Sequence, residues 1–170
     1  MTNDIVILDG ARTPIGTFGG SLTTIPPVDL AAHVTTEALK RSGVEPDQIG
    51  HVVFGHVINT EPRDMYLSRV AAINAGIPDS TPAMNVNRLC GSGAQAIISA
   101  AQSLMLGDAE FAIAGGAENM SRALTSCPKP VGGRKWVTST WKICCLLPLI
   151  ARSVRVTWGS RLKTLQLNMG

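Results

Sequence analysis

Short apolar runs alternate with amphipathic stretches along the first two-thirds of the chain. Ile5 to Leu8 and Val52 to Ile58 are short apolar runs rich in β-branched residues, which predicts strands of a sheet covered on both faces. Ala83 to Val86 and Phe111 to Ala114 continue the series more weakly. Between them, Leu30, Ala31, Val34 and Ala38 share one helical face, with Asp29, Thr36, Glu37, Lys40 and Arg41 mostly elsewhere; Gly43 is placed to end this outer helix. Tyr66, Val70 and Ile73 repeat the spacing in a second helix, which Asp64 would cap and Gly76 would close.

A third helix, from about Gly91 to Leu106, carries Ala94, Ala96, Ile97, Ile98, Ala100, Ala101, Leu104 and Met105 around most of its circumference and is expected to be buried nearly all round. Alternation of strands with helices of this length implies βαβ units and an α/β architecture with a parallel or mixed sheet. Covering the third helix calls for a second sheet or a second subunit.

Composition fits a globular chain: 45% of the 170 residues are hydrophobic and 16% charged, with a mean hydropathy of +0.19. Polar residues interrupt each apolar run short of the roughly 18 to 20 residues of a bilayer span, and no basic start with an apolar stretch opens the chain. The expectation is a soluble, cytoplasmic protein. Four cysteines without a secretory signal read as thiols, and no Cys or His spacing suits zinc, so neither a disulfide framework nor a metal is expected.

Charge divides the chain. Residues 1–123 hold 7 Lys/Arg against 12 Asp/Glu, a balance of −5, whereas residues 124–170 hold 8 Lys/Arg and no acid, a balance of +8. The second part also holds Trp136, Trp141, Trp158, Cys127, Cys144 and Cys145, with no sustained period among its apolar residues. A basic, aromatic stretch is one way to bind nucleic acid, but no binding module is recognisable here. The expectation is a domain over 1–123 followed by an aberrant, possibly frameshifted tail over 124–170, without a function of its own.

Candidate chemistry centres on Val86-Asn87-Arg88-Leu89-Cys90-Gly91-Ser92-Gly93-Ala94, which runs from a strand through a tight turn into the third helix. Cys90 at a helix N-terminus would have its thiolate favoured by free N–H groups and the helix dipole, and the small residues after it leave room for a thioester. An inert buried cysteine is the plainer reading of the same residue. The glycines offer another, because Gly91-x-Gly93-x-x-Ala96 fits a relaxed dinucleotide-binding pattern with Glu118 as its ribose acid.

Gly10-Ala11-Arg12-Thr13-Pro14-Ile15-Gly16, Phe18-Gly19-Gly20-Ser21-Leu22, Asn87 to Gly93 and Gly115-Gly116-Ala117-Glu118-Asn119-Met120-Ser121 stand in the order and at the spacings of the thiolase family. Over about residues 3–122 the chain resembles the N-terminal part of a thiolase, closest to the acetyl-CoA acetyltransferases. The resemblance implies the N-terminal half of an αβαβα layered fold. It also implies that Cys90 takes an acetyl group from acetyl-CoA as a thioester, which a second, deprotonated acetyl-CoA attacks to give acetoacetyl-CoA. Thiolysis of a 3-oxoacyl-CoA is the reverse. Coenzyme A thioesters are substrates rather than resident cofactors, no nucleic acid or membrane partner is implied, and full-length family members are homodimers or homotetramers.

In the family a histidine activates the cysteine, a second cysteine exchanges the substrate proton, and donors stabilise the developing oxyanion. These groups come from Asn-x-x-Gly/His-Gly-Gly and Cys-x-Gly-Gly-Gly regions, which these 170 residues do not contain. His33, His51 and His56 do not match the catalytic histidine and read as structural or solvated; Cys127, Cys144 and Cys145 do not match the second cysteine. Cys90 alone is named catalytic, and the chain is expected to be truncated and inactive by itself. A ketoacyl-synthase-like condensing enzyme and a non-catalytic fragment or assembly module are the alternatives.

Overall fold

The computed structural model describes residues 4–126 and 146–152. Chain order is β1 (Ile5–Arg12), α1 (Pro27–Ser42), β2 (Ile49–Gly55), α2 (Leu67–Asn74), β3 (Ala83–Val86), α3 (Ser92–Leu106), β4 (Phe111–Gly116), α4 (Met120–Ser126) and β5 (Leu146–Arg152). Short 3-10 turns at Pro46–Gln48 and Pro62–Tyr66 lead into β2 and α2.

The sheet order is β1-β5-β4-β2-β3. Strands β3 and β4 flank β2 in parallel, while β5 runs antiparallel to both β1 and β4. Side chains alternate across the sheet with period two. Val52 and Phe54 of β2 and Ile113 of β4 join a core with α1 and α2; Val53, Ala112 and Ala114 join a second core with Ala96, Ala100 and Leu104 of α3. The described residues therefore form helix, sheet and helix in three layers.

Helix α1 follows its sequence signals. Pro27 opens it with a preset φ, Asp29 lies in its first turn, Lys40 and Arg41 lie in its last, and Gly43 closes it at φ 69° by donating its N–H to Leu39 O. Helix α2 is rotated from expectation. Its buried residues are Leu67, Ser68, Ala71 and Ala72, whereas Tyr66 and Ile73 are exposed, because the small side chains let α2 pack closely on α1. Asp64 caps the 3-10 turn before α2 rather than α2 itself, accepting from Thr60 N and Glu61 N through Oδ2.

Helix α3 also departs from expectation. Only Ser92, Ala96, Ala100 and Leu104 are buried, a single stripe at the spacing of one helical face, while Ile98, Met105 and Leu106 are exposed. The described residues supply one sheet, and one sheet covers one face. Leu89–Leu106 is long and apolar enough on average to cross a bilayer, and Ser92, Gln95, Ser99, Gln102 and Ser103 interrupt its apolar run as expected.

Residues 146–152, for which the apolar pattern predicts no element, form the strand between β1 and β4. Pro148 stands opposite Gly10 and contributes no N–H to that ladder. The main apolar mass lies instead at β2, whose Val52, Val53 and Phe54 have no exposed surface.

Replacing Phe54 with Ala is expected to cost about 3–5 kcal/mol through lost burial and a cavity. Urea unfolding would show it as a lower midpoint at unchanged slope; a midpoint shift equal to that of an exposed substitution such as Ile98→Ala would contradict the placement of the core.

Candidate active site

Strands β2, β3 and β4 run parallel, so their carboxyl ends share one edge of the sheet, and the four sequence segments singled out above can be traced to or near it. Gly55 at the end of β2 has no side chain because a Cβ there would lie 2.5 Å from Ser92 C and 2.7 Å from Gly93 N. A Cβ on Gly116, at the end of β4, would lie 3.1 Å from Gly55 O and 3.7 Å from Gly93 Cα. The head of α3 thus rests directly on strand backbone.

From Val86 the chain enters a tight elbow. Asn87 Oδ1 accepts from Leu89 N at 3.1 Å, Gly91 N donates to Arg88 O at 3.0 Å, and Ser92 N donates to Leu89 O at 3.1 Å. The buried Ser92 hydroxyl clamps the turn from inside, accepting from Arg88 N at 2.8 Å and donating to Leu89 O at 2.6 Å. Leu89 sits at φ 49°, the single positive-φ non-glycine among the described residues, a conformation costing an L-residue about 1–2 kcal/mol. The elbow holds that strain, which is common where a side chain must be presented for function.

Cys90 follows Leu89 and is exposed. Gly91 is the N-cap of α3 and offers no capping side chain to the first turn. A Cβ on Gly93 would meet nothing within 4 Å, which leaves open space over the first turn. This exposure removes the burial on which the rival reading of Cys90 rested. Arg88 reaches along the helix to Gln95 Oε1 at 3.1 Å.

Beyond the elbow, the same edge holds a polar set whose members are read separately in the sequence and brought together by the fold. His56 is buried, with Nδ1 2.8 Å from Ala117 O and 3.7 Å from Glu118 Oε1. A carbonyl only accepts, so Nδ1 carries the hydrogen, and the buried Nε2 has no hydrogen-bond partner among the described residues. Glu118 accepts from Val57 N at 3.0 Å and Ile58 N at 3.2 Å. Burial pushes its carboxyl pKa up, against the opposing pull of His56 and these two N–H groups. Committed in this way, Glu118 is not a ribose acceptor, and the dinucleotide reading loses its acid.

Asn119 Nδ2 donates to Leu22 O at 2.9 Å and Ile25 O at 2.8 Å, and Ser121 Oγ accepts from Gly19 N at 2.9 Å. These bonds make one unit of the Phe18 to Leu22 and Gly115 to Ser121 segments. Arg122 adds Thr24 O, Thr60 Oγ1 and Glu61 Oε2. A run of Asn, Ser and Arg just after a Gly-rich strand end was the available signal for this anchoring.

The remaining candidates stand apart. His33 is exposed on α1, and His51 is half-buried in β2, where burial lowers its pKa. Cys127, Cys144 and Cys145 lie outside the described residues. No group of three His, Cys, Asp or Glu among the described residues is placed to hold a metal. A hollow of about 270 Å³ at the end of α1, lined by residues including Leu39, Lys40 and Val44, includes none of the candidate residues.

Two expectations follow. Gly55→Ala puts a methyl into backbone that cannot yield and should cost about 1–3 kcal/mol by urea unfolding. Gly93→Ala points into open space and should be neutral or stabilising by up to about 1 kcal/mol; equal tolerance of both would refute the contact. For Glu118, the raised folded pKa means its contribution is fully present below the unfolded pKa and is lost as pH rises through the folded value. The stability difference between the parent and Glu118→Gln should therefore move against the parent with rising pH over that window, and the opposite slope in a pH series of urea titrations would disprove the shift.

Comparison with known proteins accords with this geometry. The family model for the N-terminal domain of thiolase matches residues 5–148. The beta-ketothiolase BktB of Cupriavidus necator is 62% identical over 123 residues, 72% of this chain and 31% of that relative. The cytosolic acetyl-CoA acetyltransferase of Rattus norvegicus is 43% identical over 122 residues, 72% of this chain and 30% of that protein. Among solved structures, the Bacillus anthracis acetyl-CoA acetyltransferase superposes with a TM-score of 0.67 at 45% identity, covering 70% of this chain and 30% of that one. Human mitochondrial 3-ketoacyl-CoA thiolase in complex with CoA gives 0.70 at 34% identity, covering 81% and 35%. The chain spans about a third of the length of the relatives it matches. With an α/β fold, an elbow bearing an exposed cysteine and a match over most of its length, the chain belongs to the thiolase family through the N-terminal domain.

Proposed function

We propose that this domain is the nucleophile-bearing part of an acyl-CoA acyltransferase of the acetyl-CoA acetyltransferase kind, with Cys90 as the acyl carrier. The observation that supports this most is the exposed Cys90 at a strained, internally clamped elbow on the uncapped head of α3, inside the segment matched by the thiolase domain. In the proposed reaction the Cys90 thiolate attacks the carbonyl carbon of acetyl-CoA. The C–S bond to coenzyme A breaks, coenzyme A leaves as its thiolate and takes up a proton, and the acetyl group remains on Cys90 as a thioester. A second acetyl-CoA, having lost a methyl proton, attacks that thioester; acetoacetyl-CoA forms and the Cys90 thiolate is released.

The names of the relatives favour this chemistry over a ketoacyl synthase or an assembly module. The 62% identity to a beta-ketothiolase supports the reverse direction, thiolysis of a 3-oxoacyl-CoA, as a second reading on the same site. A cytosolic relative supports a cytoplasmic setting. We assign the exposed outer face of α3, with Ile98, Met105 and Leu106, to packing against the second half of an αβαβα fold. The domain over 1–123 and the separate origin of 124–170 belong to the same proposal.

The histidine, second cysteine and oxyanion donors of the family reaction have no counterpart motif in these 170 residues. Groups of that kind each contribute on the order of 10²-fold or more and act as a unit. The 170-residue chain should therefore show no appreciable coenzyme A-dependent cleavage of acetoacetyl-CoA above a Cys90→Ala control, while mass spectrometry after incubation with acetyl-CoA should find slow acetylation at Cys90. Ordinary enzymatic turnover that Cys90→Ala abolishes would show that the missing motifs are dispensable.

A further inference from the structure

A buried histidine and a half-buried carboxyl lie where parallel strands β2 and β4 end, a place that apolar residues would fill at lower desolvation cost. His56 Nδ1 donates across to Ala117 O, and Glu118 reaches the other way to accept from Val57 N and Ile58 N. Backbone bonds add to the bridge: Ala117 N donates to Gly55 O at 3.2 Å and His56 N to Val86 O at 3.1 Å, tying β2 to both neighbours. The covalent neighbours of this bridge are Gly55 and Gly116, the two glycines packed beside the backbone of Ser92 and Gly93 at the head of α3. Val86, at the other end of one bond, leads into the Asn87 to Cys90 elbow.

We propose that His56 and Glu118 are positioning residues, a brace that fixes the floor under the head of α3 and thereby the attack geometry of Cys90. This assignment rests on the reading of Cys90 as the acyl carrier. Neither side chain is a catalytic residue: both bond to the protein's own backbone, and their effect on Cys90 passes through Gly55 and Gly116. Asp64, whose Oδ2 is committed to Thr60 and Glu61, and the Glu61–Arg122 ion pair at 2.8 Å are the charged groups on the adjoining turn and helix. The cost the brace carries is the partial desolvation of Glu118, offset by the two N–H groups it accepts from.

The test uses the 170-residue chain with His56→Leu, His56→Asn and Glu118→Gln. Asn returns an N–H donor near the Nδ1 position and Leu does not; Gln turns one acceptor oxygen of Glu118 into a donor that opposes a backbone N–H. Two rates are read at Cys90: alkylation by iodoacetamide, which reports exposure, and acetyl transfer from acetyl-CoA, which demands geometry. His56→Leu and Glu118→Gln should slow acetyl transfer by about tenfold or more while leaving alkylation unchanged, and His56→Asn should restore most of the loss. Parallel slowing of both rates, or no slowing of acetyl transfer, overturns the brace. Should the parent chain accept no acetyl group, the acyl-carrier reading fails, and hydrogen exchange decides the brace independently. Amides of Val57, Ile58 and the first turn of α3 should exchange about tenfold faster in Glu118→Gln, and unchanged exchange overturns it.

Discussion

The head of α3 lies on bare strand backbone, and the placement of the site depends on that contact. Gly55 and Gly116 end adjacent parallel strands, and neither could carry a Cβ without pressing on Ser92, Gly93 or the neighbouring strand's carbonyl. Close approach of backbone to backbone is the second use of glycine, distinct from its freedom at positive φ. Because the contact involves no flexible side chain, it cannot absorb error by changing rotamer. It fixes the direction in which β3 must turn, and the elbow at Leu89 takes the strain of that turn.

Around this contact the loops are held chiefly by side chains bonded to backbone. Asn119, Ser121, Glu118 and Ser92 each satisfy main-chain groups in segments that no ladder reaches. Such bonds matter more than the ion pairs at the surface. Arg41–Glu37 and Arg63–Asp29 join partly exposed side chains, where such pairs contribute little, whereas a buried N–H stripped of its acceptor costs about 1–3 kcal/mol. The carboxyl edge is therefore held by directional bonds where it faces α3, which suits the acyl-carrier role proposed for Cys90.

The two faces of the sheet are finished to different degrees. Helices α1 and α2 close one face with a contiguous core that includes Phe54, Ile49 and Leu67. On the other face α3 makes contact through Ala96, Ala100 and Leu104 and leaves Ile98, Met105 and Leu106 outside. That asymmetry suits a domain that continues into a larger layered fold, in keeping with relatives about three times as long as the stretch matched here.

Much of this was legible in the sequence. The α/β alternation, the ends of α1 and α3, and Cys90 at the junction of a strand with a helix follow from period, glycine placement and apolar runs, which are local properties of the chain. The four family segments likewise point to thiolase without coordinates. Tertiary structure decided what depends on partners far along the chain. The phase of α2 was set by close packing on α1, where small Ala71 and Ala72 beat the larger Tyr66 and Ile73 that the helical spacing favoured. The role of Glu118 was set by N–H groups at Val57 and Ile58, some 60 residues away. The pairing of Leu146–Arg152 between β1 and β4 likewise arose without an apolar period to announce it. Burial of a helix on one face or all round depends on how many layers surround it, and a sequence records the apolar surface of a helix but not the number of neighbours that will cover it.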